Sequence, residues 1–186
     1  MEKLNHQPFS FSQQGSISCG RQVASPNCDD RPDHCDIDMI VIHNISLPPK
    51  IYGGNGIIEL FTNKLNPDEH PYYAEIYTAQ VSSHFLIRRD GELIQFVPCA
   101  KRAWHAGVSQ WQNRESCNDF SVGIELEGCD FEIFEAAQYK TLNALIKSLK
   151  EAYPIQHIVG HSDIAPGRKT DPGPFFDWDK VAGKKD

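Results

Sequence analysis

His43 closes the apolar run "DMIVIHN" (38–44), His161 closes "HIVGH" (157–161), and Asp171 follows ten residues later. Two imidazoles and a carboxylate leave one position open on zinc, as catalytic zinc sites require. Zinc takes this mixed nitrogen and oxygen set readily, whereas magnesium or calcium would favour more oxygens. The competing reading is ordinary. A strand-end histidine is usually a satisfied polar residue, and eight histidines allow many pairings.

A further carboxylate sharpens the zinc reading. Glu125 lies inside the apolar run "VGIEL" and needs a partner or a wet cleft, because burying it unpaired is costly. Beside an acidified water, a partly desolvated glutamate suits a general base. An internal salt bridge would serve it equally well, and Glu127, two residues on, is as eligible by strand alternation. Lys169 offers positive charge to a developing oxyanion, or is a plain surface lysine.

These side chains need elements to hold them. "DMIVIHN" reads as a strand buried on both faces, and residues 53–65 as a short helix. "VSSHFLIRRDGELIQFVP" (81–98) reads as two strands joined at Asp90-Gly91. "FSVGIELEG" (120–128) is a strand with Val122, Ile124 and Leu126 on one face. In residues 135–153, Tyr139, Leu142, Ile146, Leu149 and Tyr153 form an apolar helical stripe. "HIVGH" is a short strand running into "GHSDIAPGRKTDPGP" (160–174). That stretch, with three prolines and three glycines, cannot be a regular helix or central strand. Its turns fix side chains at the rim of a scaffold. The expected fold is α/β, a single domain with a mixed sheet covered by helices, and its site lies at the strands' carboxyl ends. Residues 1–23 are polar and unpatterned and read as a loose arm lying on a domain that spans 24–186.

Composition narrows the function classes. The 186 residues carry a net charge of −7 and no basic cluster, which argues against nucleic acid. No apolar stretch could span a membrane, and the first 16 residues lack the apolar core of a secretory signal. Six cysteines without a CxxC pair then read as free thiols of a reduced, cytoplasmic protein. There is no internal repeat, and a monomer is the default.

Longer stretches carry a resemblance. "ASPNCDDRP" (24–32), "IVIHNISLPP" (40–49), "HPYYAEI" (70–76), "KRAWHAGVS" (101–109), "CNDFSVGIELEG" (117–128) and "GHSDIAPGRKTDPGP" are similar to the zinc N-acetylmuramoyl-L-alanine amidases. This family is related to phage T7 lysozyme and the peptidoglycan recognition proteins. Within it the likeness is to the cytosolic branch that acts on 1,6-anhydromuropeptides in cell-wall recycling. The resemblance implies one zinc per chain on His43, His161 and Asp171. It implies Glu125 as general base, and Lys169 stabilising the tetrahedral intermediate. Asn44 and Trp104 fall where family members contact sugar and peptide. Gln80 and Ser116 stand where basic residues are expected, with Arg114 nearby to compensate in substrate binding. His84 is read as structural, and His105 is left open. Two other readings compete. An envelope amidase of broader specificity would need a signal or lipobox, and a non-catalytic muropeptide-binding module would be expected to lack a ligand.

Overall fold

The computed structural model describes residues 9–183. In chain order its elements are β1 (Arg21–Gln22), β2 (Cys28–Asp30), β3 (Met39–Ile45), α1 (Gly56–Phe61), α2 (Pro71–Ile76), β4 (Phe85–Ile87), β5 (Leu93–Gln95) and β6 (Lys101–Ala103). Then come β7 (Gln110–Trp111), β8 (Arg114–Glu115), β9 (Ser121–Glu127), α3 (Ala136–Ala152), β10 (His157–Gly160) and α4 (His161–Ile164). Six strands form one sheet in the order β1-β5-β4-β9-β3-β10. Only β4 and β5 run antiparallel, so the sheet is mixed, as the alternation of elements predicts. The pairs β2–β6 and β7–β8 make two small ribbons beside it.

The sheet centre is β3 against β9, apolar apart from His43 and Glu125 along their middle because helices and loops cover both faces. On one face Ile40, Ile42, Val122, Ile124 and Leu126 meet Leu142, Leu145, Ile146 and Leu149 of α3. This is the predicted helical stripe, with Leu145 added. A capping box between Glu135 and Gln138 starts α3. On the other face Met39 and Val41 pack with Ala106, Phe120 and Ile164. Leu86 and Ile94 meet Ile57, Phe61 and Tyr73 of α1 and α2 there. Among the described residues no helix is long and apolar enough to cross a membrane. All six cysteines are free thiols.

Two expectations are corrected. The segment read as a loose arm is fixed from residue 9 onward, packed on the core and joined to the sheet at β1; residues 1–8 lie outside the described residues. Ile17 is buried, Phe9 and Phe11 pack on the α3-side core, and β1 extends the sheet parallel to β5. The buried Gln95 side chain fastens it, accepting the Ile17 N–H at 2.9 Å and donating to the Gly15 carbonyl at 2.8 Å. Aromatic residues spaced among serines and glutamines carry no strand or helix period, which hid this from pattern reading. The second correction is α4. The stretch expected to hold no helix begins with one turn, His161–Ile164. The first proline, Pro166, comes only after that turn has closed, so nothing breaks it.

The ends of β4 and β9 are joined by a buried ion pair. Arg88 donates to Glu127 at 2.8 Å, and both side chains are nearly inaccessible. The Glu127 carboxylate also accepts the Gly53 N–H at 2.7 Å and the Arg89 N–H at 3.2 Å. Glu127→Ala would strand Arg88 as an uncompensated buried charge, and is expected to lower stability by about 3–5 kcal/mol in a urea titration.

Candidate active site

His43 sits near the carboxyl end of β3, and the register places it directly beside Glu125 of β9. His161 follows β10 as the first residue of α4, and Asp171 comes back over the same strand ends. A hydrogen bond from the Ser162 N–H to the Asp171 carbonyl at 2.9 Å folds that return. His43 Nδ1, His161 Nδ1 and Asp171 Oδ2 stand 3.0 Å from one another, pair by pair. Three donor atoms meeting in a triangle of that size suit a small cation, and two nitrogens with one carboxylate oxygen match zinc.

The outer contacts of both imidazoles determine which nitrogen would face an ion held there. His161 Nε2 lies 3.0 Å from the Ala106 carbonyl, an acceptor only, so Nε2 carries the hydrogen and Nδ1 the lone pair. For His43 the same result needs one more link. Ser121 Oγ donates to the Cys117 carbonyl at 2.6 Å, leaving its lone pairs for His105 Nε2 at 3.2 Å. His105 Nδ1 is then an acceptor and takes the Nε2–H of His43 at 2.9 Å. His43 therefore also presents Nδ1 as a lone pair. Such outer partners orient metal-binding histidines and set their tautomer. Gly123 makes room for the relay, since a Cβ there would fall 2.5 Å from the His105 ring.

Burial drives the His43 pKa down to about 4, against a smaller upward pull from Asp171. Burial also holds His105 well below the usual histidine range, with the neighbouring imidazoles adding to it. These rings stay neutral at physiological pH, the form that binds metal. Burial alone would raise the Asp171 carboxyl, but the imidazoles of His161 and His43 beside it outweigh that and hold it well below the carboxylate range.

Glu125 lies in the same cleft with its Oε2 buried and without a hydrogen-bond partner. Burial first, then the charge of Asp171, push its pKa well above the ordinary value, while Lys169 pulls it down. The structure thus separates the two carboxylates that alternation left equivalent. Glu127 is saturated by Arg88 and backbone amides, and Glu125 is not. Lys169 is exposed, lines the cleft, and among the described residues enters no ion pair. The cleft measures about 360 Å³, with Ile45, Phe61, Tyr72 and Trp104 along its walls.

The remaining predicted residues divide. Trp104 lines the cleft, with its backbone N–H donating to the Ser82 hydroxyl at 3.0 Å. Asn44 reaches the cleft edge, yet its amide donates to Asp130 at 2.6 Å and to the Pro172 carbonyl at 3.0 Å. Arg114 is not brought to the site. Its guanidinium pairs with Asp38 at 2.7 Å and stacks 3.6 Å from the centre of the Phe120 ring. Asp38 precedes β3, about 16 Å along the strand from His43 at the usual rise per residue. His84 is structural as expected, accepting the Gly123 N–H at 3.0 Å. The sequence reading missed Asp130 and Thr170 and left His105 open, because their roles come from contacts far apart in the chain.

Residues 33–174 match the family described as N-acetylmuramoyl-L-alanine amidase. The chain belongs to that family. Its similarity to 1,6-anhydro-N-acetylmuramyl-L-alanine amidase AmpD of Escherichia coli (strain K12) is 55% identity over 168 residues, 89% of this chain and 92% of the relative. The AmpD of Haemophilus influenzae is 49% identical over 171 residues, 90% and 93% of the two chains. A crystal structure of an AmpD derivative superposes with a TM-score of 0.88 at 53% identity, covering 90% of this chain and 94% of that one. Escherichia coli AmiD, solved in complex with the substrate anhydro-N-acetylmuramic acid-L-Ala-D-gamma-Glu-L-Lys, gives 0.59 at 29% identity over 92% and 64%. This single α/β domain is an N-acetylmuramoyl-L-alanine amidase with the AmpD-type fold.

The His105 relay yields a measurable consequence. His105→Ala removes the acceptor that holds His43 in its binding tautomer. Metal affinity, titrated against a chromophoric chelator, is expected to fall roughly 10–100-fold. Unchanged affinity would show that the relay does not orient His43.

Proposed function

We propose that this amidase is zinc-dependent and cleaves the bond between 1,6-anhydro-N-acetylmuramic acid and L-alanine in muropeptides, as a step of cytoplasmic cell-wall recycling. The observation carrying the reading is the orphaned Glu125 carboxylate oxygen, buried in the cleft that holds His43, His161 and Asp171. Support for the substrate comes from the AmpD relatives and from relatives solved with anhydromuramyl peptides bound. One zinc per chain would be held by His43 Nδ1, His161 Nδ1 and Asp171 Oδ2. When bound, it supplies Lewis acidity, acidifying water and polarising a carbonyl.

The chain's own residues do the rest. Glu125 takes a proton from the attacking water at its free Oε2, and its raised pKa makes it a stronger acceptor than an exposed glutamate. The positive charge of Lys169 favours the ionised form of that carboxylate and faces the carbonyl oxygen as it becomes negative. Glu125 then returns the proton to the L-alanine nitrogen, which leaves as a free amine. Trp104 offers an aromatic face to the sugar ring, and Tyr72 and Phe61 make the wall apolar. Asn44 stands at the edge of this cleft. Arg114, tied to Asp38, has no place in it.

Elemental analysis is expected to find one zinc per chain, and alanine at His43, His161 or Asp171 to abolish turnover. Glu125→Gln should lower kcat by roughly 10²–10⁴ while zinc is retained. A chelator-stripped enzyme that cleaves at full rate would overturn the zinc reading. Mass spectrometry of a digested anhydromuropeptide should show the anhydro sugar and the intact stem peptide. Matched substrates with a reducing-end sugar should be cleaved more slowly, by roughly 10–200-fold in kcat/KM. Equal rates, or faster release from intact sacculi, would point to an envelope amidase of broader specificity.

A further inference from the structure

The loop that brings Lys169 and Asp171 to the site has few attachments of its own. It follows α4, passes Pro166 and Gly167, and is exposed from Pro166 to Thr170. A loop so open would sample many positions, yet it carries Lys169 and Asp171 to the cleft. Arg168 anchors its outer part, donating to the Ala106 and Val108 carbonyls at 2.6 Å each. The contacts around Lys169 and Asp171 themselves gather on Asp130 and Asn44. Asp130, in the turn just after β9, accepts the Asn44 amide on Oδ1 at 2.6 Å and the Thr170 hydroxyl on Oδ2 at 2.5 Å. Asn44 spends its second amide hydrogen on the Pro172 carbonyl at 3.0 Å. Lys169 and Asp171 are the residues on either side of Thr170, and Pro172 adjoins Asp171. Gly173 completes the fit, because with φ +82° a Cβ there would lie 2.6 Å from Asp130 Oδ1.

We propose that Asp130 is a positioning residue that clamps residues 169–172 to the carboxyl end of β3, with Asn44 and Thr170 as its two donors. This gives Asn44 a different task from the sugar or peptide contact expected of it. By alternation along β3 it points to the face opposite His43, and both of its amide hydrogens are already used within the protein. The clamp touches no reacting atom. It acts by fixing where the Asp171 oxygen and the Lys169 charge stand, and displacing such groups by about 1 Å can cost 10²-fold in rate. The inference rests on the reading of Asp171 and Lys169 as working residues of the amidase.

The test compares Asp130→Ala, Asp130→Asn and Thr170→Val in the full chain. Asp130→Asn can keep both bonds, because its amide oxygen accepts from Asn44 and its NH₂ donates to a Thr170 hydroxyl turned to accept. It therefore separates the clamp from the mere presence of a negative charge. Amide exchange of the metal-free protein reads the loop directly, at the Ser162 N–H held by the Asp171 carbonyl and the Gly173 N–H held by Thr170. Asp130→Ala is expected to speed exchange at these amides about tenfold or more, by raising local opening. It should weaken zinc binding roughly 10–100-fold, as loss of an outer-shell partner does. It should also lower kcat more than it changes KM. Thr170→Val should show smaller changes in the same directions, and Asp130→Asn should stay close to the parent enzyme. Should Asp130→Ala fail to fold, the other two variants carry the comparison. Unchanged exchange and zinc affinity in Thr170→Val and Asp130→Ala would overturn the clamp, and so would an Asp130→Asn as impaired as the alanine. A parent enzyme that binds no zinc would instead overturn the metal reading, with the exchange data still deciding the clamp.

Discussion

The register of β3 against β9 is the constraint on which the rest depends. Pairing His43 with Glu125 sets a candidate metal ligand beside a carboxylate on one face. The same pairing sends Ile40, Ile42, Val122, Ile124 and Leu126 to the other face, against α3. Because side chains alternate, a slip of one residue on either strand would turn its whole set over. His43 or Glu125 would then face Leu142 and Leu149, where neither could find a partner, and apolar side chains would enter the cleft. The hydrophobic stripe of α3 thus sets the catalytic geometry as well as the stability. Forming the core and aligning the site are one event.

The same register explains why two glutamates on one face have different fates. Glu125 is flanked across the sheet by Leu86 of β4 and by His43 of β3. Leu86 offers it no hydrogen bond. Two positions further along, β4 has ended and the chain turns at Arg88, whose guanidinium falls on Glu127. The turn also exposes the Arg89 N–H to the same carboxylate. Charge pairing at the end of the sheet holds its edge together, and one residue pair earlier its absence leaves a carboxylate available for proton transfer. The distinction lies in the neighbouring strand, so no inspection of β9 alone could draw it.

What was legible in the sequence follows from this. Strands β3 and β9, the β4–β5 hairpin and α3 announce themselves through apolar period and the Asp90-Gly91 turn, since their signals are local. The candidate ligand triangle was readable as residue types at strand ends, whereas the expectation of Glu125 over Glu127 as the base came from the family resemblance. The arm was not readable, because Phe9, Phe11 and Ile17 join the core singly and Gln95 holds them by side-chain bonds. Arg114 was misplaced for a similar reason. A cation in the right stretch of sequence says nothing about its reach, and Asp38 and the Phe120 ring hold it at the opposite end of β3. His105 gave no sign of its role, since its partners Ser121 and His43 meet it only in the folded chain.

The site also shows how an acidic protein can bury several imidazoles without charging them. His43, His84 and His105 lie in or against the sheet, and burial pushes all three below the usual histidine range. Each has a defined acceptor or donor, so none needs a second proton to be satisfied. The unfolded chain, with its histidines near 6.5, binds more protons than the folded one below that pH, so acid weakens the fold. His84 shows this best, being remote from the ligand triangle: it takes the Gly123 N–H on Nδ1, which only a neutral ring can do. Protonating it would break the backbone contact that spaces Gly123 beneath His105. The neutrality that metal binding requires of His43 is therefore supported by a neighbouring histidine that never touches the metal.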